Sequence, residues 1–260
     1  MTGRRRPVAV FEYLDPHQFQ SEVTGRRLPA VVRGCPLGAS SLTWTSDYLR
    51  ENLSGLVRPV HVTTETNMNF VEKNFKYASM DLGELVARAA EAGEEREEKY
   101  YLRAVSEENP RTKPVRLEED FPGIARDFSL PAGLIPQERI FSSVLRVSSG
   151  NIRVWTHYDV MDNVYCQIVG LVMRKLVRSY FLLSGHKKAV LWSPGEVERL
   201  YLLGDKSRVV DIDSPDHHQF PLFSSADRYE ADLEPGDILF IPALWFHNML
   251  GQVFYGTRIT

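Results

Sequence analysis

The residues best suited to chemistry are His157-Tyr158-Asp159 and, far along the chain, His247 at the end of the run Phe240-Ile-Pro-Ala-Leu-Trp-Phe-His247. Two imidazoles and one carboxylate can occupy one face of an octahedral ion and leave its other positions open, the ligand set of a non-haem Fe(II) oxygenase. His157 and Asp159 stand two apart at what reads as the end of a strand, so both side chains are expected on one face. A lone His-x-Asp is common and is usually an ordinary hydrogen-bonded pair, and a histidine beside Trp245 and Phe246 can equally be a core residue. Context weighs against both bland readings. The turn Glu234-Pro-Gly-Asp237 leads into an apolar strand that delivers His247 late in the chain, where a third ligand must arrive.

In an oxygenase of this kind 2-oxoglutarate takes two further metal positions and O₂ the last. The far carboxylate of the co-substrate then needs a cation and a hydroxyl. Lys187 opens a strand in Gly185-His-Lys-Lys-Ala-Val190 and is the ammonium candidate, while Lys188 should face the other way by strand alternation. Tyr101 is the favoured hydroxyl and Asn163 a polar neighbour. His186, His217 and His218 read as exposed, and His17 and His61 have no carboxylate at a suggestive spacing. No Gly-x-Ser-x-Gly elbow supports a hydrolase, and no glycine-rich phosphate loop is present.

These residues need a scaffold. At 260 residues the chain is long enough for one large β domain or two ordinary ones, and 43% hydrophobic residues suffice for a substantial core. A formal charge of −3 names no polyanionic partner by itself, and Arg4-Arg5-Arg6 and Arg26-Arg27 are short clusters. Two cysteines, Cys35 and Cys166, suggest neither a disulfide framework nor a zinc site. Without a signal-peptide core or a membrane-length apolar run, a soluble protein of the cytoplasm or nucleus is expected.

The N-terminal part mixes elements: a strand over 29–33 closed by Gly34, a helix starting near Trp44, a strand over 60–63, and a helix from Asp81 with Leu82, Leu85, Val86 and Ala89 on one side. An acidic stretch, 91–99, reads as solvated surface, and a strand resumes at Tyr100. From Phe141 the strands come quickly: 141–147, 152–156, 164–169, 189–192, 208–212, 229–233 and 238–241. Short strands separated by Gly and Pro turns predict a mainly β barrel or jelly roll with N-terminal α/β elements packed on it. The expected division is a support region over 1–100 and the β core over 101–260. One segment, 171–184, breaks the pattern: it carries three basic residues, no acidic ones, and suits a short helix, a strand pair or a membrane-surface strip.

Trp155-Thr-His-Tyr-Asp-Val-Met-Asp-Asn163, Lys99-Tyr-Tyr-Leu-Arg103 and Asp237-Ile-Leu-Phe-Ile-Pro-Ala-Leu-Trp-Phe-His-Asn248 resemble the JmjC-type hydroxylases, in particular those acting on the wybutosine base of tRNA(Phe). The resemblance implies a double-stranded β-helix, a JmjC or cupin-like core, with Fe(II) on His157, Asp159 and His247 and 2-oxoglutarate on Tyr101, Asn163 and Lys187. It implies hydroxylation of 7-(α-amino-α-carboxypropyl)wyosine in tRNA(Phe), on the route to hydroxywybutosine, and homodimers built through C-terminal helices.

Two departures from the family pattern carry expectations of their own. Segment 171–184 looks inserted where the relatives pass directly to the lysine-bearing strand, so it must bulge outward or break the ladder between its flanking strands. After Asn248 the pattern calls for a glycine-containing strand and then helices, and the short remainder points to a lost barrel strand and an exposed edge. Both departures suggest a form that keeps the metal ligands yet is poorly stable, possessing little or no activity and no dimer surface. The alternatives are a protein or histone hydroxylase of the same chemistry, and a non-catalytic cupin-like binding module or inactive splice form.

Overall fold

Short, alternating apolar runs form strands here because each can bury one face between two sheets. The structure is a computed structural model that describes residues 2–91, 97–169, 171–176, 179–184, 187–251 and 254–259. Its first strands are β1 (Arg5–Pro7), β2 (Ala9–Phe11), β3 (Ala30–Val32), β4 (Val57–Thr63), β5 (Lys76–Asp81) and β6 (Lys99–Arg103). The barrel strands follow as β7 (Ser143–Ser148), β8 (Ile152–His157) and β9 (Asn163–Val169). After them come β10 (Leu171–Leu176), β11 (Ser179–Ser184), β12 (Lys187–Trp192), β13 (Leu202–Leu203) and β14 (Lys206–Ser207). The last four are β15 (Arg228–Leu233), β16 (Ile238–Ile241), β17 (Phe246–Gly251) and β18 (Phe254–Ile259).

Two sheets hold most of these strands, in the orders β1-β15-β12-β17-β8-β14-β13 and β2-β3-β16-β9-β18-β7-β6-β4-β5. At their centres, β15-β12-β17-β8 faces β16-β9-β18-β7, and the chain crosses repeatedly from one four to the other. That is a jelly roll. Its interior is closed by apolar residues from both sheets, among them Tyr165, Leu191, Leu233, Leu239, Ile241 and Met249. The N-terminal strands extend both sheets: β1 runs parallel to β15, and β3 pairs with β16.

This topology corrects one expectation and selects among the alternatives of another, the strand pair for segment 171–184. No barrel strand is lost, because β18 lies between β7 and β9 and pairs antiparallel with both. Nor does segment 171–184 break a ladder. Its flanking strands, β9 and β12, belong to different sheets, and among the described residues β10 and β11 pair only with each other, Leu171 opposite Ser184 through Leu176 opposite Ser179. The hairpin sits on a sheet-to-sheet connection, where extra length costs little.

The segment 208–212 is not a strand. Its Val209 and Ile212 are buried, but against Trp192, Phe223 and Phe246 from a loop. Asp211 accepts from the backbone N–H groups of Asp213 and Ser214 at 2.9 and 3.0 Å, which turns the chain away from any ladder. Within the arginine clusters, Arg4 and Arg6 pair with Asp227, Arg26 with Glu22 and Arg27 with Asp162.

The helix Leu82–Glu91 forms as the pattern predicts. Leu82, Leu85, Val86 and Ala89 are fully buried, and Asp81 Oδ1 accepts from the Glu84 N–H at 3.0 Å. Helix Ser46–Leu53, capped by Thr45, crosses it at Gly83, where an added Cβ would lie 2.6 Å from the Arg50 carbonyl oxygen. Helix propensity favours alanine over glycine by about 1 kcal/mol, but forcing two backbones apart costs roughly 1–3 kcal/mol. The steric cost should win. Gly83→Ala is therefore expected to lower the melting temperature by several degrees, and an unchanged or raised melting point would show that the helices do not meet this closely.

Candidate metal centre

β8 and β17 run antiparallel with His157 directly opposite His247, so one cross-strand pair brings together residues remote in sequence. Their ring centroids are 4.3 Å apart. Each ring is held in the same way. His157 Nδ1 lies 2.9 Å from the Trp155 carbonyl oxygen, and His247 Nδ1 lies 3.1 Å from that of Trp245. A carbonyl can only accept, so each Nδ1 carries the proton and each Nε2 presents a lone pair. This is the arrangement that metal-ligating histidines use.

Asp159 reaches the pair by a different route from the one expected. β8 stops at His157, and the Tyr158 N–H bonds to the Asp205 carbonyl, so strand alternation does not carry Asp159 inward. The turn before β17 does. The Leu244 N–H donates to the Asp159 carbonyl at 2.8 Å, with Leu244 itself at φ +67°. Asn163 Nδ2 then donates to Asp159 Oδ2 at 3.2 Å, and that oxygen is 3.4 Å from His247 Nε2. One potential ligand atom from each of His157, Asp159 and His247 lies within 4.8 Å of the others. The donor set, two neutral imidazole nitrogens and a carboxylate on one side, fits a divalent first-row ion with open positions.

The co-substrate candidates form a neighbouring group. Lys187 opens β12, is 5% exposed, and holds Nζ 5.2 Å from the centre of the Tyr165 ring. Lys188 points the other way, as alternation predicts, and pairs with Glu230 at 3.1 Å. The Tyr101 hydroxyl is buried and accepts a hydrogen bond from Arg146 Nη1. Burial, and then the charge of Arg146, push the Lys187 ammonium well below the usual lysine range. Asn163 is fully buried and directed at Asp159 and the Met161 carbonyl.

Arg146 was not anticipated. Its signal was available: a basic residue within the apolar strand Val144-Leu-Arg-Val147 has no reason to be there unless something inside needs a cation. Its Nε is buried and has no hydrogen-bond partner among the described residues. His61 was also passed over. It is half-buried within a group of aromatic rings, and its Nδ1 lies 3.2 Å from the Tyr101 carbonyl. His217 and His218 are exposed, as expected, and so is His17, whereas His186 lies outside the described residues. Cys35 and Cys166 are both free and buried. A groove of about 680 Å³, lined by Arg27, Leu134, Arg139, Val160, Asp162 and Phe240 among others, includes none of His157, Asp159 or His247.

The loop bearing Asp159 is clamped at its far end. Asp162 takes both Arg27 terminal nitrogens, at 2.6 and 2.7 Å, and its Oδ1 also accepts from the Ala243 N–H at 2.7 Å. Burial opposes ionisation of Asp162, but the Arg27 hydrogen bonds, the Ala243 N–H and the Arg27 charge outweigh it and leave the pKa lowered. A carboxylate depressed in this way stabilises the fold above its unfolded pKa of about 3.9. That contribution is lost as pH falls through the lower folded value. With the ion pair partly exposed, Asp162→Ala should cost about 1–2 kcal/mol at pH 7. Melting curves should show the gap to the parent protein closing toward pH 3, and a gap independent of pH would remove the ionic clamp.

A family model described as a cupin-like domain matches residues 16–175 and 179–252. The zebrafish protein named tRNA wybutosine-synthesizing protein 5 is 43% identical over 252 residues, covering 95% of this chain and 72% of the relative. Its human counterpart is 40% identical over 259 residues, covering 98% and 77%. A Gibberella zeae protein named tRNA wybutosine-synthesizing protein 4 is 40% identical over 88% of this chain but only 21% of its own length. Among the described residues, no helix is long and apolar enough to cross a membrane.

Proposed function

The chain belongs to the cupin-like family and, within it, to the group of tRNA wybutosine-synthesizing protein 5, and from that premise we propose that it is an Fe(II)- and 2-oxoglutarate-dependent hydroxylase of the wybutosine precursor base in tRNA(Phe). The observation that carries this reading is the convergence of His157, Asp159 and His247 with both Nδ1 protons tied to backbone carbonyls. A purely structural His–Asp cluster would not need two imidazoles aimed at a common point.

When bound, Fe(II) with 2-oxoglutarate and O₂ supplies the oxidation of a substrate C–H bond to C–OH. The chain's own residues hold and shape. His157, Asp159 and His247 are the ligands, and Asn163 orients the Asp159 carboxylate. Lys187 and the Tyr101 hydroxyl receive the far carboxylate of the co-substrate, and Arg146 holds Tyr101 and adds positive charge. Two buried cations lie close enough for one to depress the other, which suits a site made for a dianion. The hydrocarbon wall of Leu191, Leu233 and Met249 excludes water from the closed side of the barrel.

The reading requires tRNA(Phe) as substrate and a location in the cytoplasm or nucleus. Relatives named for tRNA modification favour it over a protein or histone hydroxylase, and the ligand geometry favours it over a binding module without catalysis. The test is succinate formation from 2-oxoglutarate with tRNA carrying the wybutosine precursor. Stimulated turnover should be abolished in His157→Ala, and folded protein indifferent to that RNA would overturn the assignment.

Lys187 allows a separate prediction. A charge-assisted hydrogen bond in a buried site contributes roughly 1.5–3 kcal/mol. Lys187→Met should therefore raise the KM for 2-oxoglutarate by about 10- to 150-fold. An unchanged KM would place the far carboxylate elsewhere.

A further inference from the structure

Five aromatic rings stand together on a surface that leads to the metal centre. Trp155 lies 5.2 Å from Phe70 and 5.7 Å from Phe75, and is stacked with the latter at 20°. Tyr77 lies 5.8 Å from Phe75 and 4.6 Å from His61, and His61 lies 5.0 Å from Phe75. None of the five is buried, and Tyr77 is 63% exposed. Phe75 and Trp155 rest on the buried cluster of Met68, Tyr101, Ile152 and Val154, so the group is anchored from below and still offers partly uncovered ring surface to a ligand.

Its position narrows the choice. The Trp155 ring is 6.5 Å from that of His157, and the Trp155 carbonyl fixes the His157 tautomer. At the other end His61 contacts both the ring and the backbone carbonyl of Tyr101. The ring group therefore runs from the metal ligands to the residues assigned to the co-substrate. Whatever lies on it lies at the reacting centre.

Charge separates two candidate ligands. Clustered rings can also cradle a quaternary ammonium, but such a cage excludes competing cations. Here Lys206 Nζ already sits 4.2 Å from the centre of the Phe70 ring, and Lys206 stands opposite His157 in the strand register. Exposed Arg103, two residues beyond Tyr101, is close enough to interact with Asp159. Cations at the edge of an aromatic surface repel an alkylammonium and attract a phosphodiester. Glu65 and Glu72 are exposed on the same 64–75 segment and Lys206 Nζ also pairs with Asp205, so net charge is modest and ring contact must supply much of the affinity.

We propose that His61, Phe70, Phe75, Tyr77 and Trp155 form a stacking platform for an unpaired nucleobase of the RNA substrate, with Lys206 and Arg103 serving its phosphates. Sequence-specific RNA recognition favours bases splayed out of a loop and stacked on aromatic rings. The platform rests on the reading that the substrate is RNA, and deepens it by assigning the surface that holds the base plane while its side chain reaches the metal.

The test uses the full chain and an RNA hairpin with 2-aminopurine in its loop, reading fluorescence quenching for stacking and anisotropy for affinity. The parent protein should quench the probe. Phe75→Ala and Trp155→Ala should lose the quenching and bind on the order of 5- to 150-fold more weakly, while Phe75→Tyr retains both. Should Trp155→Ala melt early because it adjoins a metal ligand, Phe70→Ala and Phe75→Ala carry the comparison. Alanine variants that quench and bind like the parent would overturn the platform, as would rings needed only for a trimethyl-lysine peptide. Succinate formation separates the two proposals: if the parent shows tRNA-stimulated turnover and the variants keep its tRNA KM, the platform alone falls. If the parent shows no stimulation, the RNA reading falls with it.

Discussion

Everything at the site depends on one cross-strand pair, His157 opposite His247, between β8 and β17. The two strands meet only because the jelly roll interleaves early and late segments in one sheet. A shift of one residue in this register would turn one imidazole to the other face and separate the pair. The pairing is protected on both sides, by β14 beyond β8 and β12 beyond β17. The register also departs from regularity between His247 and Met249, at the point where a side chain has to be re-aimed.

A second constraint lies inside the barrel. Lys187 and Arg146 are both nearly buried, and burying charge is costly unless it is compensated. The same interior buries Asn163, Gln167 and His247 within a wall of Leu191, Leu233 and Met249, and two cations gathered there suit an anionic ligand. Local strain agrees with this division of labour: Leu244, in the turn that holds Asp159, adopts a left-handed conformation that a branched side chain rarely takes. The scaffold stabilises groups that would not choose these positions alone.

Much of this was legible in the chain. The apolar spacing of Leu82, Leu85, Val86 and Ala89 identified a buried helix face, and the turn at 234–237 located the strand leading to His247. Alternation separated Lys187 from Lys188 correctly. Other features were hidden for physical reasons. Val209 and Ile212 have strand-like spacing, but Asx turns at Asp211 make their segment a loop. The route of Asp159 could not be read locally, because contacts from residues 163 and 244 set its position. The residue pairings of β18 and of the 171–184 hairpin are long-range or self-contained facts, and residue spacing does not encode which sheet a strand will join. Arg146 and the rings around His61 were visible as residue types but acquired meaning only once folding brought them beside Tyr101 and His157.

The central claim is that three side chains hold one divalent ion. Anaerobic calorimetric titration of Fe(II) into the metal-free protein measures this directly, with Asp159→Ala and His247→Ala as comparators. One site per chain, lost in both variants while their folded melts persist, is the predicted result. Binding of undiminished stoichiometry and affinity in either variant would contradict it.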